Sequence, residues 1–283
     1  MNLLSGLEKF GLDVSEDMDI FEEDKPKTGT GTEAVEEKSD IPTEDMFLLE
    51  KGIRCPVCDK VFKTKMIKNG RVKRLESDKD LRPRHQYIDT LKYSCPHCGY
   101  TAMTRFFPHI TNVQSKLIKE NICSKFHAQI EPEPAVYDYD RALERYKLSL
   151  FNTIVKKGKT SEKAYTCLKI AWLYRGKAET MDAATEEGKA AIAECKKEEE
   201  AFYKQAYDGM LKAVSTEMFP ICGMDQGTVD YLLATMSIHY KKYDVASKLL
   251  AGILASNTAG RQMKDKALNL KEEVVAELKK GRG

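Results

Sequence analysis

The spacing of apolar residues changes character twice along the chain. In the opening "MNLLSGLEKFGL", Leu3, Leu7 and Phe10 fall at helical spacing. From Asp13 to Asp45 the apolar content drops too far to offset the entropy of ordering a backbone, so a disordered acidic linker is expected, tipped by that short apolar motif. The motif has two readings: it docks into a groove of the helical half, in cis or on a neighbour, or it is an unattached tail. Residues 48–127 carry short alternating runs and predict a β-rich segment.

Beyond about residue 136 the period becomes helical. "DYDRALERYKLSLFNTIVKKG" ends on Gly158, read as a C′ glycine, and Thr160 or Ser161 is placed to cap the next helix, "SEKAYTCLKIAWLYRGK". "DAATEEGKAAIAECKKEEEAFYKQAYDGMLKAVSTEM" predicts one long or once-broken helix that stops before Pro220, and three more helices follow at about 226–240, 243–256 and 259–280. Some six helices with short connections pack most naturally as antiparallel hairpins.

"TVDYLLATMSIHYKKYDVASKLLAGILASN" has the small-and-large spacing of a tetratricopeptide-type hairpin: Leu233 and Ala234, a turn near Lys241 to Tyr243, then Ala246, Leu250 and Leu254. "AYTCLKIAWLYRGK" is placed as the first helix of an earlier repeat, although the turn is short and the closing proline is missing. Stacked repeats of this kind make a concave groove for peptides; a plain helical bundle is the blander alternative. Trp172, Tyr165 and Tyr174 read as core. The expected fold class is therefore α+β and multidomain. Residues 1–47 are the acidic segment, 48–127 a zinc-ribbon-like β domain, and 128–283 an all-α tetratricopeptide-like domain.

Composition adds mainly a charge asymmetry. The net charge of +2 over 283 residues hides 4 basic and 15 acidic groups in residues 1–50 (net −11), against 17 basic and 6 acidic in residues 51–127 (net +11). No apolar run reaches the ~20 residues of a membrane span and no secretory leader pattern opens the chain, so a cytoplasmic protein without a membrane partner is expected.

The chemistry lies in the cysteines. Of eight, four form Cys55-Pro-Val-Cys58 and Cys95-Pro-His-Cys98, while Cys123, Cys167, Cys195 and Cys222 stand singly. Each pair is a zinc-knuckle turn that sets two thiolates about a tetrahedral edge apart, with Gly99 after one pair and Asp59 after the other to accept positive φ. One structural Zn2+ on Cys55, Cys58, Cys95 and Cys98 follows, with rubredoxin-like iron as the chemical rival. Four thiolates leave no coordination position for a water, so the metal is a fold staple rather than a catalyst. His97 reads as a surface histidine rather than a ligand, and Cys123 with His127, spaced i, i+4, as packing residues rather than a second metal pair.

Between the two pairs, Asn69-Gly70 predicts a tight turn joining "VFKTKMIK" to "RVKRLE", a hairpin dense in positive charge. Lys63, Lys65, Lys68, Arg71, Lys73, Arg74, Arg82 and Arg84 are its candidate anion-binding residues. Such a ribbon is solvated, or paired in cis with the acidic N-terminal segment, or bound to nucleic acid or an acidic protein. It lacks the interleaved aromatics that stack bases. No nucleophile–base cluster and no phosphate-binding glycine loop is present, so no enzyme is expected. The leading reading is a non-enzymatic zinc-containing adaptor that binds a protein or peptide partner. A nucleic-acid-binding zinc ribbon modulated by the acidic segment is the alternative, and a metal-handling or redox protein the third.

Jointly, "CPVCDKVFKTK", "RVKR", "DKDLRP", "YID", "LKYSCPHCGYTAM" and the helical half resemble the uncharacterised bacterial family known as domain of unknown function 2225, over about residues 48–280. The resemblance implies a cytoplasmic bacterial protein with metal-binding cysteines at Cys55, Cys58, Cys95 and Cys98. It carries no established activity, and residues 1–45 look like an addition to it.

Overall fold

A computed structural model describes residues 4, 6–12, 47–68, 77–83, 92–128, 134 and 136–280. The predicted acidic linker, Asn69-Gly70, and Arg71, Lys73, Arg74 and Arg84 lie outside the described residues. By compactness the chain divides into two units, one of residues 1–74 and 85–206, the other of 75–84 and 207–283.

The first unit is built around two antiparallel hairpins. Strand β1 (Leu48–Arg54) pairs with β2 (Val61–Ile67), and β3 (Lys92–Ser94) pairs with β4 (Thr101–Met103). The run "VFKTKMI" pairs backward to β1, with Ile53 opposite Phe62 and Glu50 opposite Lys65; its expected forward pairing across Asn69-Gly70 lies outside the described residues. The turn of the first cysteine pair closes this hairpin. Phe62 and Thr64 turn inward while Val61 and Lys63 face solvent, the two-residue alternation of a half-buried strand. Phe107 gathers the small core: Phe62 at 6.0 Å, Tyr93 at 5.4 Å and Tyr100 at 4.8 Å between ring centroids.

Helix α1 (Asn112–Ile118) opens with a capping box, in which the Thr111 hydroxyl accepts from the Gln114 N–H and the Gln114 side chain accepts from the Thr111 N–H. It runs into a π turn, Lys119–Cys123. Helix α2 (Tyr139–Val155), capped by Asp138, packs on α3 (Thr160–Glu179) and on β3 and β4. The helices expected to form a separate domain from residue 128 therefore begin inside the same compact unit as the cysteine hairpins.

The turn between α2 and α3 corrects two expectations. The left-handed residue is Lys157 (φ 52°), not Gly158. Gly158 N–H instead reaches Thr153 O at 2.8 Å, and a Cβ there would meet the Thr153 methyl at 2.7 Å. Its glycine serves close approach rather than φ. Neither Thr160 nor Ser161 caps α3; the cap position is Lys159, with no side-chain hydrogen bond.

Helix α4 (Glu186–Thr216) is a single unbroken helix. In the second unit, α5 (Gln226–His239), α6 (Tyr243–Ala255) and α7 (Arg261–Lys280) pack mutually. Ala234, Ala246 and Leu250, singled out by their spacing, are fully buried in that core with Ala267 and Leu270. Trp172 and Tyr174 are buried, as expected of core residues. No helix is long and apolar enough to cross a membrane among the described residues.

Candidate metal centre

Residues 55–60 join β1 to β2, and residues 95–100 join β3 to β4, by one and the same turn. Cys55 N–H donates to Lys60 O at 2.9 Å and Cys95 N–H to Tyr100 O at 2.9 Å, while Asp59 and Gly99 donate back to the Cys55 and Cys95 carbonyls at 2.9 and 3.0 Å. The fifth residue of each turn takes positive φ, 63° at Asp59 and 76° at Gly99. The two copies differ in how much room they leave. A Cβ at Gly99 would stand 2.4 Å from the Phe126 ring, so the second turn demands glycine for space as well as for conformation.

These turns bring the four predicted ligands together. All four sulfurs lie within 4.8 Å of one another, with Cys55 to Cys98 at 3.7 Å and Cys58 to Cys95 at 3.6 Å. Four thiolates at about 2.3 Å from a central ion stand about 3.8 Å apart along a tetrahedral edge. The observed separations fit that edge, and all eight cysteines are free of disulfides. Among the described residues this is the one cluster of three or more metal-ligating side chains.

Local hydrogen bonds and burial set its electrostatics. The N–H groups of Cys58, Lys60 and His97 bond the sulfurs of Cys55, Cys58 and Cys95. The Cys55 thiol is pushed up to about 12, chiefly by its hydrogen bond with Cys95. At Cys95 the bond to Cys55 works downward, but Cys98 and burial outweigh it and that thiol also rises to about 12. Cys98 is raised as well, first by Cys123 and then by Cys55. Cys58 ends below the usual thiol value: burial opposes this, but the Lys60 N–H and the neighbouring thiols prevail. Four thiols this close resist ionising together, and a central cation turns that repulsion into attraction.

Two further residues support the site. Asn152 of α2, fully buried, donates from Nδ2 to Gly99 O at 3.0 Å and to Leu148 O at 2.9 Å, which ties the second turn to the helix. Cys123, expected only to pack, ends the π turn beside the site, where its thiol hydrogen-bonds Cys98. His97 is exposed, as expected of a surface histidine.

The described basic residues divide between the two units. Lys63 pairs with Glu50 across the β1–β2 ladder at 2.6 Å, and Lys65 adds to the positive field at Glu50. Lys68 follows β2, its N–H donating to Phe47 O. Arg82 belongs to the second unit, where it is buried and held by Asp78 at 2.5 Å.

Comparison with curated proteins gives no match, and comparison with solved structures gives none. A family model described as an uncharacterized protein conserved in bacteria (DUF2225) matches residues 48–274. That span takes in both cysteine turns and the helices as far as Val274, and on it the chain belongs to this uncharacterized bacterial family.

Proposed function

We propose that the chain is a non-enzymatic adaptor of the bacterial cytoplasm that uses one zinc ion as a structural staple and presents its helices, of tetratricopeptide-like hairpin type, to a protein partner. The observation that carries the reading is the closed, largely buried set of four sulfurs, with Cys55 wholly buried and Cys95 1% exposed. Such a set has no position for a reactive water, which favours a staple over a catalyst, and zinc suits an all-thiolate tetrahedron at a site without any sign of electron transfer. Hairpin helices with alternating small and large buried residues are a common scaffold for peptide recognition. The nucleic-acid alternative has less behind it, because Lys63 is engaged by Glu50 and Arg82 by Asp78.

Affinity capture with the full chain from a bacterial lysate, at moderate salt and after nuclease treatment, tests the reading. A stoichiometric protein partner is expected. Recovery of nucleic acid alone before nuclease treatment, with no protein retained after it, would replace the adaptor with the alternative.

A further inference from the structure

The opening motif, apart from Leu3, which lies outside the described residues, is not a tail. Leu4, Leu7, Phe10 and Leu12 are all at most 3% exposed. A single 3-10 turn, Glu8–Phe10, closed by Gly11, lays them against the first unit. There the Phe10 ring stacks on Phe126 at 5.7 Å and 12°, Phe10 O accepts from His127 N–H at 3.0 Å, and Lys9 forms an ion pair with Glu144 of α2. Phe126 in turn lies on Gly99 of the second cysteine turn. Residues 4 and 6–12 are thus held as a bound peptide is held: buried apolar side chains at short helical spacing, a backbone hydrogen bond from His127 and an ion pair to Glu144.

Three facts separate occupant from receptor. The segment is linked to Phe47 by 34 residues, 13–46, which carry 13 acidic and three basic groups and little apolar matter. The family match begins at residue 48, so it takes in Phe126, His127 and Glu144 and leaves the seated segment out. Burial of four apolar side chains is offset in large part by the cost of ordering nine residues, so the tether's effective concentration is what keeps the seat filled. We infer that the groove formed by residues 125–127 and α2 is a peptide-binding site, with residues 4–12 as its resting, exchangeable occupant. Its partner is a segment that offers large apolar side chains at i, i+3 and i+6 and a cation to meet Glu144. The inference rests on the adaptor reading in that it names where a partner binds.

Fluorescence anisotropy with a labelled peptide of residues 1–13 tests it on the full chain. The Leu7→Ser/Phe10→Ser variant, which empties the seat, is expected to bind the peptide saturably and at least tenfold more tightly than the unaltered chain. Phe126→Ala in that variant is expected to lower the affinity at least tenfold. Equal affinity for variant and unaltered chain, in protein that retains its metal, overturns the inference. Should the variant lose its metal, a chain with a specific protease site inserted between residues 13 and 46 serves instead: after nicking, the labelled peptide exchanges into the seat, or, if it is excluded, the inference falls. Peptide binding without partner capture leaves the groove standing and removes the adaptor; capture without peptide binding does the reverse.

Discussion

Asn152 and Gly99, 53 residues apart in sequence, are joined by a 3.0 Å hydrogen bond from the amide Nδ2 to the carbonyl oxygen, so helix α2 grips the turn that carries two of the four sulfurs. The same amide also donates to Leu148 O one turn back in its own helix. Residues that orient metal ligands from outside the coordination sphere commonly influence affinity about 10–100-fold.

Asn152→Ala is accordingly expected to weaken metal retention by about tenfold or more, and to cost about 1 kcal/mol through the lost hydrogen bond to the Gly99 carbonyl, which keeps the Thr101 hydroxyl at 3.2 Å. Competition against a chromophoric chelator measures the first and urea denaturation the second. Unchanged metal affinity would mean that the turn holds its own shape without α2.

The two cysteine turns make a paired prediction. Gly99→Ala forces a Cβ into the Phe126 ring at positive φ and is expected to destabilise the first unit by about 2 kcal/mol or more, in the range of strain and overpacking together. Asp59→Gly at the matching position relieves φ 63° and loses only an exposed ion pair with Arg54, so it is expected to be neutral within about 1 kcal/mol. Thermal melts of the two variants decide it; equal losses would refute the asymmetry.

Much of this was legible beforehand. The Cys-Pro-x-Cys spacing revealed the ligands and the turn, including the tolerance for Asp59, because the chemistry is local. The helices α2 to α7 were visible from their apolar period. What escaped was long-range or shared between signals. Val61–Ile67 reads as a strand, but nothing in its own residues says that β1 is a partner. Asn152 is one polar residue on a helix until Gly99 is brought to it. Helix α1 did carry a signal, the Thr111–Gln114 capping box, but it is short and its π turn breaks the period. Phe10 reads as part of an apolar motif able to dock, but nothing in the sequence points to Phe126 as its seat.

The α2–α3 turn buries an ion pair. Lys156 Nζ meets Glu162 Oε1 at 2.8 Å with side chains 3% and 7% exposed, and Thr153 adds its hydroxyl at 3.2 Å. Glu162→Ala leaves an ammonium buried without its counter-charge and is expected to cost about 3–5 kcal/mol, whereas Lys156→Met/Glu162→Leu together should cost less than that single change. Denaturation of the three proteins checks the ordering, and a double variant worse than the single would contradict it.

Acid should release the metal. With Cys55 and Cys95 pushed up to about 12, their thiols hold protons that a metal must displace. Raised thiol values favour the protonated form more strongly as pH falls, so apparent metal affinity rises with pH and declines on acidification. Release to an excess of chelator, followed from pH 8 to pH 5, is expected to grow steadily; a flat profile would argue that sulfur is not the ligand.

The account stands or falls on the ion held by Cys55, Cys58, Cys95 and Cys98. Elemental analysis of the purified full chain by mass spectrometry, beside a variant with Cys55 and Cys98 both changed to serine, measures it directly. One equivalent of zinc in the native chain, lost from the variant without any visible absorbance of iron, is the expected result. A native chain free of metal, one that holds stoichiometric iron, or a variant that keeps its zinc would contradict the claim of a four-thiolate zinc staple.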